Sequence, residues 1–344
     1  MDERGKFTRQ EILSQPESWA SALEVLNKQH VKIQEISQKE KYEQVIFTGC
    51  GSTYYLSLAA ATLFQEMTGL PSRALPASEL WLYPRSSYCD CDRTLLIAIS
   101  RSGETTETLR ACDTFSTRDR GSLLTMVCFP DSQLARKGTL NLIFPSGMEK
   151  SVAQTRAFST LYLGVVGLST LWSGRVDLFN KIDTLPSIGQ GLITNYHSMT
   201  EQIGKNLQLD RIFFLGSGAR YGLACELNLK MKEMSLTYSE AFHFLEFRHG
   251  PMSMVTSDSL IIGLISEENS PHEFSVLDDI RNLGGHVLSI GESYTDISFF
   301  SGVEEVFRNI LYLPFGQMIA YERSMAKGLN PDHPNNLDSV VKLS

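Results

Sequence analysis

The chain has 344 residues, of which 42% are hydrophobic and 20% are charged, so it can bury two sizeable cores and does not resemble a disordered chain. Its formal net charge is −8, with no basic block and no interleaving of Lys or Arg with aromatic residues, so we expect no nucleic-acid partner. The N-terminus lacks a signal-peptide core, and the longest apolar run, at 161–172, is too short to span a bilayer. We therefore predict a cytoplasmic protein without a membrane partner.

The six cysteines form no C-x-x-C pair and have no nearby histidine at metal-ligand spacing. This pattern argues against a structural zinc site. Cys89 and Cys91 stand on either side of one Asp, and we interpret them as loop thiols in a reducing compartment.

The first forty residues have helical spacing and predict a helical lead-in. The segment VIFTGCGSTYYLSLAAATLFQEM then has the pattern of an apolar strand, a Gly-x-Gly turn and an amphipathic helix. This pattern returns as RIFFLGSGARYGLACELNLKMKEM. Three residues recur 167 positions further along: Gly49, Gly51 and Tyr54 as Gly216, Gly218 and Tyr221. The sequence thus predicts two related units.

Further apolar runs alternate with helical stretches in both halves: TLLIAIS, SLLTMVCF and NLIFP in the first, SLIIGLIS and HVLSIG in the second. Continuous apolar strands between helices are typical of parallel sheets covered on both faces. We therefore predict an α/β protein with two doubly wound, flavodoxin-like domains. The predicted parts are a lead-in at 1–40, domains at 41–190 and 198–330, and a C-terminal tail at 331–344.

The segment SRSGETTET follows the run TLLIAI and opens a helix, so free backbone N–H groups and the helix dipole favour an anion there. Ser100, Ser102 and Thr105 add hydroxyl donors, and Gly103 permits close approach of a ligand such as a phosphate monoester. The alternative is structural, because Ser102 and Thr105 are also good helix caps.

The first Gly turn, with Gly51 and Ser52, lies at the end of a neighbouring strand and lacks the third glycine of a dinucleotide fingerprint. Both turns are expected at the carboxyl ends of strands, where ligands bind. In the second half the corresponding Ser266 is followed by Glu267 and Glu268, whose carboxylates would repel a phosphate. We therefore expect one phosphate site per chain, in the first half.

The second half concentrates ionisable residues. Glu226, Lys230 and Glu233 share one face of an otherwise apolar helix, so we expect partial burial, although a solvated salt-bridge ladder is the common alternative. His249 precedes Gly250-Pro251 and on its own is equally compatible with a structural role.

Six motifs of the chain resemble those of a known protein family: GCGST, SRSGETTET, SVAQTRAFST, GSGARYGLACELNLKMKEMS, SEAFHFLEFRHGP and NPDHPNNLDSV. They extend in this order from about Phe47 to Val340. On these motifs the chain resembles the sugar-isomerase (SIS) domain family, in particular the two-domain isomerase module of glucosamine-6-phosphate synthase and the free-standing amino-sugar-phosphate deaminases.

The resemblance implies a phosphate cradle, with sugar contacts from the backbone of Val152 and Ala153. The cradle residues on the matching motifs are Gly51, Ser52, Ser100, Arg101, Ser102 and Thr105. It further implies that Glu233 is the general base, that Lys230 acts on the sugar oxygens, and that His249 opens the sugar ring from the partner subunit of a homodimer. The chemistry it implies requires no metal or organic cofactor.

Two departures argue against an amidotransferase. No glutaminase domain is expected, because the chain begins with the helical lead-in, and Asp338 stands where the synthase has a tail lysine, with Lys342 four residues later. The expected function is a phosphosugar aldose-ketose isomerase or deaminase, first of all an amino-sugar-6-phosphate deaminase. A deglycase of phosphorylated sugar–amine adducts and a plain phosphosugar isomerase remain open, as does a non-catalytic phosphosugar-sensing regulator.

Overall fold

The computed structural model describes residues 4–89 and 93–343; Cys91 lies outside them. The chain forms two compact units. The N-unit comprises residues 17–149, 156–184 and 338–343, and the C-unit comprises 4–16, 150–155 and 185–337. The predicted division at 40, 190, 198 and 330 stays a prediction; the units observed here interleave, since 150–155 belongs to the C-unit and 338–343 to the N-unit.

The N-unit is built on a five-stranded parallel sheet of order β2-β1-β3-β4-β5. Its strands are β1 (Gln44–Gly49), β2 (Ser72–Pro76), β3 (Thr94–Ser100), β4 (Gly121–Val127) and β5 (Leu140–Ile143). The helices before and around it are α1 (Lys6–Leu13, in the C-unit), α2 (Gln15–Lys39), α3 (Ser52–Thr68), α4 (Ala77–Leu82), α5 (Pro84–Ser87), α6 (Thr106–Ser116), α7 (Arg156–Trp172) and α8 (Val176–Ile182).

The C-unit repeats this topology in a five-stranded parallel sheet of order β10-β9-β8-β6-β7. Its strands are β6 (Arg211–Leu215), β7 (Tyr238–Phe242), β8 (Ser259–Leu264), β9 (His286–Gly291) and β10 (Ile297–Ser298). Its further helices are α9 (Leu185–Lys205), α10 (Ala219–Ser235), α11 (Ser270–Asn282), α12 (Glu305–Arg308) and α13 (Leu313–Ala326). Both sheets have the flavodoxin-like strand order, so the predicted fold class is confirmed.

The apolar runs occupy the positions that their composition predicts. Every residue of β1, β3 and β8 is buried, as parallel strands covered by helices require. The apolar run at 161–172 lies in α7, whose residues from Ala157 to Trp172 are all buried. Among the described residues no helix is long and apolar enough to cross a membrane.

Two cations, Arg323 near the end of α13 and Lys327 directly after it, bind oxygens on either side of β6 and α10. The buried Arg323 guanidinium donates to the carbonyl oxygens of Asn206 (2.9 Å) and Leu209, which precede β6, and to the Thr237 hydroxyl (2.8 Å). Lys327 donates to the Ser235 carbonyl at the end of α10 (2.9 Å) and to the Thr237 hydroxyl (2.8 Å). Lys327 thus caps the C-terminus of α10, where a cation also complements the helix dipole, and Arg323 anchors the segment before β6.

Replacing Arg323→Met is expected to lower the free energy of unfolding by about 2–4 kcal/mol, because three oxygens lose a charged donor. The control Arg281→Met removes a half-exposed arginine paired with Asp278 on α11, and should cost no more than about 0.5 kcal/mol. Urea unfolding measures both changes. Equal losses for the two variants would contradict the anchoring role of Arg323.

Candidate functional site

The segment following β3, called here the 100–105 turn, is held by hydrogen bonds between its own residues. The Ser100 hydroxyl accepts a hydrogen bond from the Gly103 N–H (3.0 Å), and the Ser102 hydroxyl accepts one from the Glu104 N–H (3.2 Å). Gly103 has φ +67°, and a Cβ there would lie 2.1 Å from the Ser132 Oγ. Glycine is therefore required at this position both by the backbone conformation and by the available space.

Helix α6 begins directly after this turn, with Thr105 at its N-cap position. Neither Ser102 nor Thr105 makes a side-chain capping hydrogen bond to α6, so the predicted alternative of a simple capping box finds no support in these contacts. The C-terminal tail, residues 338–343, approaches the same helix end: the Thr106 N–H donates to the Val341 carbonyl (3.4 Å), and the Leu343 N–H donates to the Thr106 hydroxyl (3.1 Å).

Arg101 anchors that tail. Its buried guanidinium donates to the Ser339 carbonyl (2.9 Å) and lies 3.6 Å from the buried Glu149 carboxylate. The side chain thus links the 100–105 turn to the tail. A direct contact between Arg101 and phosphate stays a prediction.

The first Gly turn lies at the end of β1, as predicted. Gly51 has φ +56°, and a Cβ at this position would meet no atom within 4 Å. Ser52 is the buried first residue of α3. Burial raises the pKa of the neighbouring Cys50 thiol to about 11, so this cysteine stays protonated near neutral pH and is a poor nucleophile.

Alanine substitutions at Gly51 and Gly103 separate backbone strain from crowding. Gly51→Ala should cost about 1–2 kcal/mol of unfolding free energy, because the left-handed backbone is strained for any L side chain. Gly103→Ala should cost at least about 1 kcal/mol more, because its Cβ must also displace Ser132. Urea unfolding of both variants checks the order, and a smaller loss for Gly103→Ala would contradict the geometry of the turn.

The predicted ionisable face of α10 is buried. Lys230 and Glu226 have fully buried side chains, and that of Glu233 is 19% exposed. The Lys230 ammonium lies 2.5 Å from a Glu233 carboxylate oxygen and 3.4 Å from one of Glu226. The alternative of a solvated salt-bridge ladder is therefore wrong: this is a buried cation between two carboxylates, with one carboxylate open to solvent.

A small cleft reaches Glu233 from the solvent side. It is lined by Glu233, Met234, Leu236, Leu329, Asn330, Pro334 and Asn335. The same segment, 329–335, also holds the predicted sugar-contacting backbone, because the Val152 N–H donates to the Asp332 carbonyl (3.0 Å). The Ala153 carbonyl accepts from the Ser151 hydroxyl (2.9 Å). With the Val152 N–H engaged in this way, its predicted contact with sugar stays a prediction.

His249 is exposed at the end of a short 3₁₀ turn, Leu245–Arg248, and its backbone N–H donates to the Glu246 carbonyl (3.0 Å). Among the described residues no hydrogen bond or ion pair joins its imidazole to Lys230 or Glu233. The apolar side chains of Leu245 and Met254 are also about half exposed on this loop.

His243 is not among the predicted site residues, and its ring stacks on Tyr221 with centroids 3.8 Å apart. Burial lowers the pKa of this histidine, which favours the neutral imidazole. Its signal in the sequence is a histidine directly after β7, next to the Gly-x-Gly turn of the same sheet.

The turn after β8 holds a carboxylate from another segment. The prediction that the Glu267 and Glu268 carboxylates exclude phosphate from this turn stays a prediction. The Glu267 carboxylate is turned to Arg308 (2.7 Å), and the backbone N–H groups of Glu267 and Glu268 instead donate to the carboxylate of Glu305 (2.9 and 3.4 Å). The turn is an anion-binding turn that is already occupied.

The predicted residues thus form two groups in different units. The N-unit carries Gly51, Ser52 and the 100–105 turn, and the C-unit carries Lys230, Glu233 and the backbone of Val152 and Ala153, with His249 on an exposed loop. Within the described part of the chain, no group of three or more His, Cys, Asp and Glu side chains is arranged to hold a metal ion.

The SIS domain family model matches residues 38–166 and 207–297, which together cover most of both sheets. The chain belongs to the SIS domain family. The double-SIS fold is similar to glucosamine-6-phosphate deaminase from Thermotoga maritima, with a TM-score of 0.82 and 27% identity over 98% of this chain and 99% of that one. Tagatose-6-phosphate ketose/aldose isomerase from Escherichia coli has a TM-score of 0.86 at 21% identity over 95% of each chain, a likeness of fold alone.

Among curated proteins this SIS chain is similar to glutamine–fructose-6-phosphate aminotransferase [isomerizing]. The relative from Methanothermobacter thermautotrophicus is 28% identical, with 98% of this chain and 57% of the relative covered. That from Helicobacter pylori is 30% identical, with 88% and 53% covered. This chain spans little more than half the length of these relatives.

Proposed function

We propose that this SIS protein is an amino-sugar-6-phosphate deaminase, an aldose-ketose isomerase whose product loses ammonia. The observation that carries the proposal is the buried Lys230 beside the partly open Glu233 carboxylate. The likeness to a glucosamine-6-phosphate deaminase over nearly the full length of both chains supports this choice. The cytoplasmic location also stays a prediction.

Proton transfer is assigned to α10. Glu233 removes the C2 proton of the open-chain amino aldose and returns it to C1, while the Lys230 ammonium stabilises the negative charge that develops on the sugar oxygen. The burial of Lys230 strengthens this interaction, because water does not screen the charge. The resulting C2 imine adds water, and the carbinolamine collapses to ketose 6-phosphate and ammonia.

Phosphate binding is assigned to the N-unit. The hydroxyls of Ser102 and Thr105 would hold the phosphate, so that binding energy from the unreactive end orients the reacting carbons. The tail contacts at Thr106 lie at this helix end, so the tail borders the proposed phosphate position.

Two further activities share this chemistry. A deglycase would release an amine larger than ammonia, and a plain isomerase would release none. The assay is the release of ammonia and the appearance of ketose 6-phosphate from glucosamine 6-phosphate, galactosamine 6-phosphate and an amino-acid adduct of fructose 6-phosphate. Ammonia from an amino sugar supports the proposal; no turnover on any of the three would favour a phosphosugar-sensing regulator.

The double variant Ser102→Ala/Thr105→Ala should bind glucitol 6-phosphate, an open-chain analogue that cannot isomerise, at least tenfold more weakly by calorimetry. Each hydrogen bond lost to a charged group weakens binding by about 1.5–3 kcal/mol. The control Ser116→Ala/Thr117→Ala removes two hydroxyls from the other end of α6 and should leave the affinity unchanged. Unchanged affinity of Ser102→Ala/Thr105→Ala would show that these two hydroxyls do not bind the phosphate and have a structural role.

We further propose that His249 opens the sugar ring in the partner subunit of a homodimer, which the exposure of its imidazole and of the neighbouring Leu245 and Met254 supports. Mixing inactive Glu233→Gln chains with inactive His249→Ala chains should restore about half the activity of a native dimer to each heterodimer, because one of its two sites is then intact. Heterodimers confirmed by mass but without activity would contradict the shared site.

A further inference from the structure

The repeat in this chain extends to the anion-binding turns themselves. In the N-unit the Ser100 hydroxyl accepts a hydrogen bond from the N–H three residues later (3.0 Å), and in the C-unit the Ser266 hydroxyl accepts one from the N–H of Asn269 (3.0 Å). Each turn follows the third strand of its unit and precedes a helix, α6 or α11. The C-unit has therefore kept the backbone geometry of an anion turn.

The C-unit turn also has a cationic partner on a neighbouring helix. Arg220 stands in the repeat where the N-unit has Thr53, in the first turn of α10. Its side chain is 9% exposed, its Nη1 donates to the Glu305 carboxylate, its Nη2 lies 4.0 Å from the buried Glu273 carboxylate, and its Nε has no hydrogen-bond partner among the described residues. A buried guanidinium directed at this turn is an observation independent of the helix N-terminus.

The position between these donors is occupied by a carboxylate. One oxygen of Glu305 accepts from the N–H groups of Glu267 and Glu268, and the other accepts from Arg220. The Glu305 side chain is 25% exposed and begins α12, a helix of four residues, whereas the donors belong to the turn and to the buried start of α10. The carboxylate thus reaches the site from a separate, partly exposed segment.

We propose that the turn at 266–270, with Arg220, is a second oxyanion-binding site, whose ligand in the native chain is the carboxylate of Glu305. Backbone N–H groups at a turn and a guanidinium are the donors that proteins use for carboxylates and phosphates. Glu305 fills the site from within, which leaves the N-unit turn as the place for an external phosphate. With Glu305 removed, the site takes a small oxyanion from solution.

Chemical rescue tests this site without reference to the enzymatic activity. Glu305→Ala should melt at a lower temperature than the native chain, because three donors lose their acceptor. Sodium acetate or sodium phosphate, at about ten times its Kd, should raise that melting temperature saturably by about 3 °C above a sodium chloride control of equal ionic strength. Acetate as the better ligand identifies a carboxylate site, and phosphate as the better ligand identifies a phosphate site.

The control Glu268→Ala removes the same charge from an exposed residue of the turn, keeps its backbone N–H, and should show no saturable rescue; neither should the native chain. Equal stabilisation of all three proteins, or no rescue of Glu305→Ala by either anion, would overturn the proposal. If Glu305→Ala does not fold, the isosteric Glu305→Gln decides. It should melt below the native chain and below Glu268→Gln, and a native melting temperature would overturn the role of the carboxylate.

Discussion

The buried ammonium of Lys230, held between the carboxylates of Glu226 and Glu233, is the interaction on which the proposed chemistry depends. A charge removed from water is costly unless it is paired, so α10 must keep both carboxylates in place around it. The Glu226 side chain is fully buried, whereas that of Glu233 is partly exposed to solvent. Lys327, which donates to the Ser235 carbonyl, holds the C-terminal end of the same helix.

The two units share one topology but differ in the turn that follows the third strand. In a doubly wound sheet this turn lies at the carboxyl ends of the strands, and in the C-unit its N–H groups donate to a carboxylate. The N-unit turn carries the hydroxyls of Ser102 and Thr105, whereas the C-unit turn carries the carboxylate of Glu305. We infer that duplication produced two units of similar fold. Their side chains, rather than the fold, then decide which unit binds the substrate.

Much of this architecture is predictable from the sequence, because it rests on local patterns. Apolar runs such as that of β3 and the glycines at 49, 51, 216 and 218 predict the parallel sheets and their turns. The edge strand β7 was missed because its residues are only partly buried and lack a continuous apolar run. The contact between Arg220 and Glu305 joins residues 85 positions apart, so no local pattern could reveal that the second turn is occupied.

Hydrogen exchange at the sugar carbons shows whether Glu233 is the base. The native protein and Glu233→Gln are incubated with glucosamine 6-phosphate in D₂O, and deuterium at C1 and C2 is followed by NMR. We expect deuterium incorporation by the native protein, and a loss of at least about a hundredfold in rate for Glu233→Gln, as removal of a general base produces, with glucitol 6-phosphate still bound at native affinity. Exchange by Glu233→Gln at the native rate would contradict this role of Glu233.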